Sequence, residues 1–250
     1  MATLDSNGVR IHYEVFGEGK PLVLVHGFAS SLHGTWVATR WIEALTPIRK
    51  VIALDCRGHG ESDKPHDTEH YAGDAMQNDV IRLIDHLGIE TTDLFGYSMG
   101  AGISLRLLLQ RPERFTSVVL GGIGDVRMLA RGRPNVAAAL LAADASTITD
   151  AVGKGFRIFA EAGKNDLTAL AAYQQAPRTA VGQEELKRVS LPVLIVIGQE
   201  DALVGSPDEL AEAIAGARLV KIPDREHLTV VPDPRFKEVV LEFLQEASPA

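Results

Sequence analysis

Cysteine is nearly absent from this sequence: Cys56 is the single cysteine in 250 residues. One cysteine cannot form a disulfide within the chain, and no cluster of cysteines and histidines has the spacing of a metal site. The fold must therefore form without covalent crosslinks, and we expect no bound metal. Because Cys56 follows an apolar run, we expect a thiol packed at the end of a strand.

Long apolar runs and an excess of positive charge are also lacking. No stretch approaches the ~18 apolar residues that span a bilayer, and the first residues do not have the pattern of a signal peptide. The 25 Lys and Arg residues are outnumbered by 33 Asp and Glu, so the formal net charge is −8. An acidic chain is poorly suited to nucleic acid or anionic membranes. We expect a cytoplasmic protein that binds neither.

The composition is that of an ordinary globular protein, with 46% hydrophobic and 23% charged residues. A chain of 250 residues can bury a large core, and single α/β domains commonly reach this length. The start of the chain predicts an antiparallel pair of strands, because the turn pair Asn7-Gly8 precedes an alternation of apolar and polar residues over 9–15. This alternation places His12 on the polar face.

Further along the chain, the apolar runs are short and continuous. They lie at residues 22–25, 51–54, 94–95, 118–120 and 193–197. Such runs are typical of strands buried on both faces, which indicates a parallel sheet. Residues 76–87 and 236–244 between and after them have the apolar spacing of amphipathic helices. Alternating strands and helices predict an α/β fold with helices on both faces of the sheet.

One interval of about 65 residues breaks this alternation. Its alanine-rich segments 137–145 and 167–175 favour helix, and no strand pattern is visible. We therefore expect a small helical cap at residues 125–190, inserted between two parts of a core domain at residues 1–124 and 191–250. The alternative is a long helical connection packed against the side of the sheet.

The sequence Gly-Tyr-Ser-Met-Gly at residues 96–100 fits the pattern G-x-S-x-G and lies where a buried strand is predicted to turn into a helix. A strand that reverses sharply into a helix crowds the flanking side chains, so glycine is needed on both sides of the serine. Ser98 would then project at a helix N-terminus, where free N–H groups favour an oxyanion. The alternative is a serine in an ordinary tight turn.

A serine hydroxyl needs a base, usually a histidine that a carboxylate orients. Of eight histidines, only His227 follows the last predicted strand, 219–222. The acid is expected at the carboxyl end of a neighbouring strand, where 193–198 is followed by Asp201. Glu200 and Asp125 are the rival carboxylates.

Several segments in order resemble a serine hydrolase of the α/β-hydrolase fold. They are residues 26–28 (His-Gly-Phe) after the third strand, 55–62 after the fourth, 96–100, 198–201 and His227. The resemblance covers nearly the whole chain and implies a mostly parallel eight-stranded sheet, helices on both faces and a small helical cap. It also implies that the backbone N–H groups of Phe28 and Met99 form the oxyanion hole.

The resemblance further implies that Ser98 attacks a carbonyl, His227 transfers the proton and Asp201 orients the imidazole. We expect a carboxylic ester hydrolase without metal or organic cofactor, whose partner is a small to medium, apolar ester. The substrate pocket is expected to be lined by Phe28, Ile123, Met128 and Phe159. The sequence leaves the oligomeric state open.

Alternatives within the fold depend on single positions. Serine at position 98 disfavours haloalkane dehalogenases and epoxide hydrolases, which resemble the chain but have aspartate there. Esterases, enol-lactonases and carbon–carbon bond hydrolases share similar triads and stay open. Leu228 follows His227, where many carbon–carbon hydrolases of the family have tryptophan, and this disfavours that activity. A low-turnover small-molecule receptor is the alternative from another functional class.

Overall fold

Eight strands form one sheet in the computed structural model, which describes residues 2–130 and 132–247. The strands are β1 (Ala2–Asp5), β2 (Arg10–Phe16), β3 (Pro21–Val25), β4 (Lys50–Leu54), β5 (Thr92–Tyr97), β6 (Phe115–Gly121), β7 (Val193–Gly198) and β8 (Arg218–Ile222). They lie in the order β1-β2-β4-β3-β5-β6-β7-β8. β2 pairs antiparallel with β1 and β4, and the other neighbours pair in parallel. The predicted mostly parallel, eight-stranded sheet is confirmed.

Helices cover both faces of the sheet, as predicted. The α-helices are α1 (Trp41–Leu45), α2 (Ala75–His86), α3 (Met99–Gln110), α4 (Pro134–Leu141), α5 (Ala151–Ala162), α6 (Leu167–Gln175), α7 (Gln183–Leu186), α8 (Asp208–Ala213) and α9 (Pro234–Ala247). One apolar cluster contains residues of α2 and α3, and a second contains residues of α1 and α9. None of the described helices is long and apolar enough to cross a membrane.

The side chains of β3 explain why its apolar run is continuous. Val23 and Val25 belong to the cluster with α2 and α3, whereas Leu22 and Leu24 belong to the cluster with α1 and α9. All four side chains are fully buried. Because helices cover both faces of a parallel sheet, neither face of such a strand is exposed to water.

Local sequence signals fix several helix ends. α9 begins at Pro234, and the carboxylate of Asp233 accepts a hydrogen bond from the N–H of Arg235 at 2.8 Å. α6 begins after Asp166, whose carboxylate accepts from the N–H groups of Thr168 and Ala169, both at 3.0 Å. Such side-chain oxygens satisfy N–H groups that have no partner within the helix.

The helical insertion between β6 and β7 contains α4, α5, α6 and α7, and its described residues contain no strand. α6 matches the segment expected at 167–175, whereas α5 was not foreseen. The division into a core at 1–124 and 191–250 and a cap at 125–190 stays a prediction. Of these ranges, residues 1, 131 and 248–250 lie outside the described part of the chain.

His12 lies on the face of β2 that carries Arg10 and Glu14, as the alternation predicts, but at His12 this face is covered rather than exposed to water. Its side chain is buried, and its Nδ1 lies 2.8 Å from Oδ2 of Asp55. The segment after β4 covers this side chain: Asp55 contacts the ring, and Oγ of Ser62 accepts a hydrogen bond from the N–H of His12 at 2.8 Å. Alternation assigns side chains to faces, but it does not reveal what covers a face.

Candidate active site

β5 turns directly into α3 at Ser98, whose backbone has φ 53° and ψ −109°. A positive φ strains a residue that has a Cβ atom, and such strain is typical of functional sites. The flanking glycines allow the turn: a Cβ atom at Gly96 would lie 2.2 Å from the carbonyl oxygen of Gly100, and one at Gly100 would lie 2.0 Å from that of Val25. Close backbone contacts therefore require glycine at both positions.

The imidazole of His227 joins Ser98 to Asp201. Its Nε2 lies 2.9 Å from Oγ of Ser98, and its Nδ1 lies 2.6 Å from Oδ2 of Asp201. Because an ionised carboxylate only accepts hydrogen bonds, Nδ1 carries the proton and Nε2 accepts from the serine hydroxyl. The structure thus brings together the three side chains that the sequence singled out, in the hydrogen-bonding order of a nucleophile, a base and an orienting acid.

Asp201 lies just after β7, and its side chain has no exposed area. Neither of the two rival carboxylates contacts His227 in the described structure. Glu200 is exposed, and Asp125 forms an ion pair with Arg127 at 2.8 Å. The contact with His227 is made by Asp201.

Backbone contacts hold the loop of His227 against the end of β7. A Cβ atom at Gly198 would lie 2.2 Å from the carbonyl oxygen of Arg225, which also accepts a hydrogen bond from the N–H of Glu200 at 2.9 Å. Because Gly198 has no side chain, the loops that carry Asp201 and His227 can meet.

Tyr97 also positions His227, although it was not among the predicted site residues. Its buried hydroxyl donates to the carbonyl oxygen of His227, and the two ring centroids lie 5.4 Å apart. Burial, together with the charge of Asp201, raises the pKa of Tyr97 well above its ordinary value, so the hydroxyl stays a donor. A phenol directly before Ser98 was the only signal for this role in the sequence.

The loop after β3 runs beside Ser98, since a Cβ atom at Gly27 would lie 3.6 Å from Cβ of Ser98. His26 fixes this loop: its Nε2 accepts from the N–H of Cys56 at 3.0 Å, and its Nδ1 donates to the carbonyl oxygen of Gly27 at 2.8 Å. Burial lowers the pKa of His26, which favours the neutral imidazole that this bonding needs.

The two backbone N–H groups predicted for the oxyanion hole belong to Phe28, on the loop after β3, and to Met99, at the start of α3. Met99 is the first residue of α3, where N–H groups have no acceptor in a preceding turn. The N–H of Phe28 donates to no acceptor within the part of the chain that the structure describes. The role of these groups stays a prediction, which their position supports.

Two cavities meet at Ser98. The larger has a volume of about 630 Å³, is also lined by Asp201 and His227, and is termed the histidine cavity below. The smaller has a volume of about 120 Å³ and is termed the arginine cavity, because its lining includes Arg106, Arg133 and Arg178. Ser98 therefore has access to two spaces of different size and charge.

The predicted pocket residues divide between these cavities. Phe28 lines both, Ile123 and Met128 line the arginine cavity, and Phe159 lines the histidine cavity. The structure therefore places all four around Ser98, but not in a single space. Their contact with a substrate stays a prediction.

The helical insertion contributes aromatic walls to the site. Phe156 of α5 and Tyr173 of α6 both lie with ring centroids 5.5 Å from that of Phe28. Neither residue was predicted, because α5 was not foreseen and alanine dominates the segment of α6. Through these contacts the insertion covers the loop that runs beside Ser98.

The side chains around Ser98 suit nucleophilic attack by a serine hydroxyl. Within residues 2–130 and 132–247, no group of three or more His, Cys, Asp or Glu side chains is arranged to hold a metal ion. A hydroxyl that donates to an imidazole, which is itself oriented by a buried carboxylate, can be activated to attack a carbonyl carbon.

Comparison with known proteins places the chain among hydrolases. A family model described as alpha/beta hydrolase fold matches residues 20–144. The chain is 29% identical to a 2-hydroxymuconate semialdehyde hydrolase from Pseudomonas sp. (strain CF600), over 97% of this chain and 93% of that protein.

Solved structures resemble the chain over nearly its whole length. The enol-lactonase from Burkholderia xenovorans LB400 has a TM-score of 0.77 and 25% identity, over 98% of this chain and 100% of that chain. A meta-cleavage product hydrolase from Pseudomonas fluorescens IP01 has a TM-score of 0.73 and 26% identity, over 99% of this chain and 98% of that chain. The similar proteins thus share the fold but are named for different substrates.

Proposed function

The chain belongs to the alpha/beta hydrolase fold family, and from this premise we propose that it is a serine hydrolase that cleaves carboxylic esters through an acyl-enzyme. The observation that carries the proposal is the hydrogen-bonded series Ser98, His227 and Asp201, with contacts of 2.9 and 2.6 Å. Ser98 lines both cavities, so a substrate on either side can reach its hydroxyl.

In the first step, Oγ of Ser98 attacks the ester carbonyl while Nε2 of His227 takes its proton. The imidazolium then gives this proton to the leaving oxygen as the carbon–oxygen bond breaks. Asp201 holds the imidazole in the tautomer with the proton on Nδ1 and stabilises the imidazolium. In the second step, the same imidazole takes a proton from water as the water oxygen bonds to the acyl carbon. It returns this proton to Oγ of Ser98 as the carbon–Oγ bond breaks, which releases the acid and free Ser98.

The N–H groups of Phe28 and Met99 donate to the oxyanion that forms in both steps. Fixed donors of this kind each contribute about 3 kcal/mol to stabilising the transition state. Two features would hold these donors in place before reaction. The hydrogen bonds of His26 fix the loop of Phe28, and Met99 is held as the first residue of α3.

The size and lining of the histidine cavity support the proposal that the substrates are small to medium and apolar. Its volume of about 630 Å³ lies within the range of pockets for small molecules. Val152, Phe159 and Leu228 contribute apolar lining. The leaving group of an ester would be accommodated on this side.

Lactone hydrolysis is a second candidate, favoured by the similarity to the enol-lactonase over nearly the whole chain. A lactone is a cyclic ester, so the same residues would act in the same order. Steady-state rates with matched open-chain esters and lactones would distinguish the two activities.

The test is hydrolysis of a chromogenic short-chain ester by the wild type and by Ser98→Ala. We expect sustained turnover by the wild type and loss of turnover in the variant, with an unchanged unfolding midpoint that shows an intact fold. Retained activity in Ser98→Ala would refute the role of this serine. A single stalled acylation in the wild type would instead indicate a low-turnover receptor.

A further inference from the structure

Among the described residues, three arginines line the arginine cavity, and their side chains donate hydrogen bonds to backbone carbonyl oxygens. Arg106 donates to the carbonyl oxygen of Thr179 at 2.7 Å, Arg133 to that of Leu203 at 2.7 Å, and Arg178 to that of Tyr173 at 2.6 Å. Within the described residues, none of the three forms an ion pair with a carboxylate.

Asp125 is the one carboxylate in the described lining of this cavity, and it does not balance the three arginines. Asp125 forms hydrogen bonds with Nε of Arg127 at 2.8 and 3.0 Å. Burial lowers the pKa of Arg106 and of Arg133, but a guanidinium stays protonated in proteins. The cavity therefore has an excess of positive charge that is partly removed from water, a condition that an anionic ligand relieves.

The position of His227 determines which part of an ester enters this cavity. His227 lines only the histidine cavity, whereas Ser98 lines both. The imidazole must reach the leaving oxygen to protonate it, so the leaving group lies in the histidine cavity. The acyl group, on the other side of the carbonyl carbon, then extends into the arginine cavity.

We propose that the substrate has a carboxylate at the far end of its acyl group, bound in the arginine cavity, so that the reaction releases a short dicarboxylate. This inference rests on the proposed ester hydrolysis and specifies its substrate class as half-esters of dicarboxylic acids. The bonds formed and broken are those of the two acyl-enzyme steps, and the carboxylate itself takes no part in them.

Arg133 is the arginine best suited to bind this carboxylate. Among the described residues, the guanidinium groups of Arg133 and Arg178 each donate one hydrogen bond, whereas that of Arg106 donates three. The guanidinium of Arg178 also lies 4.0 Å from the ring centroid of Tyr173, which fixes its position. Arg133 thus has more N–H groups left for a ligand than Arg106 and, unlike Arg178, is not stacked on an aromatic ring.

Two benzyl esters with the same leaving group test the proposal: monobenzyl glutarate and benzyl pentanoate, with benzyl alcohol release measured by chromatography. A charge-assisted hydrogen bond predicts a kcat/KM for the half-ester that is at least about tenfold higher. Arg133→Gln should lower this ratio about tenfold, and Arg133→Lys should restore part of it. Arg188→Gln, which removes a charge from an exposed position outside both cavities, should leave the ratio unchanged.

A third ester tests the direction of binding. The pentanoate ester of 4-(hydroxymethyl)benzoate places the carboxylate on the leaving group, and we expect it to be hydrolysed no faster than benzyl pentanoate. Preference for this ester over monobenzyl glutarate would overturn the inference. Equal kcat/KM values for monobenzyl glutarate and benzyl pentanoate would overturn the inference alone, while hydrolysis of none of the three esters would overturn the proposed ester hydrolysis as well.

Discussion

Two regions of this molecule hold a histidine against a buried aspartate. In the candidate active site, Nδ1 of His227 lies 2.6 Å from Oδ2 of Asp201, and on β2, Nδ1 of His12 lies 2.8 Å from Oδ2 of Asp55. Both carboxylates are almost completely buried. The pairs therefore have the same chemical groups, similar contact distances and similar burial.

They differ at the second ring nitrogen. Nε2 of His227 accepts from Ser98 beside a cavity, whereas Nε2 of His12 has no hydrogen-bond partner among the described residues. A histidine–aspartate pair becomes a candidate base only where a nucleophile and space for a substrate reach its free nitrogen. The strained turn at Ser98 provides both.

Asp55 has a structural role instead. Its Oδ1 accepts from the N–H of Leu32 at 2.7 Å, and its Oδ2 accepts from the N–H of Glu61 at 2.9 Å and from His12. Burial alone would raise the pKa of Asp55, but the hydrogen bonds from Glu61, Leu32 and His12 hold it below the ordinary value. This carboxylate links three segments of the chain.

Of the substitutions that test this difference between the two pairs, Asp201→Asn is expected to have the largest effect, a fall in kcat. Asp201→Asn presents an amide N–H to Nδ1 of His227, which forces the wrong tautomer, so kcat for ester hydrolysis should fall by roughly 10⁴-fold. The free energy of unfolding should change by no more than about 1 kcal/mol. Steady-state kinetics and urea unfolding measure the two quantities. A kcat within a factor of ten of the wild type would exclude an orienting role for this carboxylate.

Aspartate-to-asparagine substitution in the other pair should lower stability and leave activity nearly unchanged. In Asp55→Asn, the donors of Glu61 and His12 lose an acceptor, so the free energy of unfolding should fall by about 3 kcal/mol. The kcat of the folded protein should stay within about threefold of the wild type, because Asp55 lies outside both cavities. Loss of activity without loss of stability in Asp55→Asn would contradict a purely structural role for Asp55.

A pH dependence of stability should arise from the buried histidines near Asp55. Burial, and then the neighbouring His26, lowers the pKa of His59 from 6.5 to about 3. The unfolded chain binds a proton near pH 6.5 and the folded chain only near pH 3, so the free energy of unfolding falls as the pH decreases through this window. One proton contributes at most about 1.4 kcal/mol per pH unit.

Urea unfolding at several pH values checks this expectation. His59→Gln should have a shallower slope than the wild type between pH 6.5 and about 3. His86→Gln, at an exposed position on α2, should keep the wild-type slope. Identical slopes for all three proteins would contradict the neutral state of His59.

The smallest effect is expected at Tyr97. Tyr97→Phe removes the hydroxyl that donates to the carbonyl oxygen of His227, so the free energy of unfolding should fall by about 1 kcal/mol. A less firmly held imidazole should also lower kcat about fivefold with little change in KM. Kinetics and unfolding of the purified variant provide both values. An unchanged kcat would mean that this contact does not position His227.

Much of the sheet could be predicted from sequence, because strands buried on both faces leave continuous apolar runs such as 22–25 and 193–197. The order of Ser98, Asp201 and His227 along the chain followed from the turn at 96–100 and from the ends of neighbouring strands. These inferences need only local patterns and the rule that parallel strands end at the same edge.

Other features depend on contacts between distant segments. The burial of His12 results from the segment after β4, and the arginine cavity combines α3 with residues around α4 and after α6. Arg106 lies about two helical turns after Ser98 on the helix that the turn predicts, so its place on α3 followed from the sequence. Arg133 and Arg178 gave no such signal, because their places depend on the packing of the insertion.

Covalent labelling with a fluorophosphonate tests most directly whether His227 activates Ser98. We expect one adduct per wild-type chain, located on Ser98 by mass spectrometry of peptides, no adduct in Ser98→Ala and strongly slowed labelling in His227→Ala. An adduct on another residue, or unchanged labelling in His227→Ala, would contradict the account.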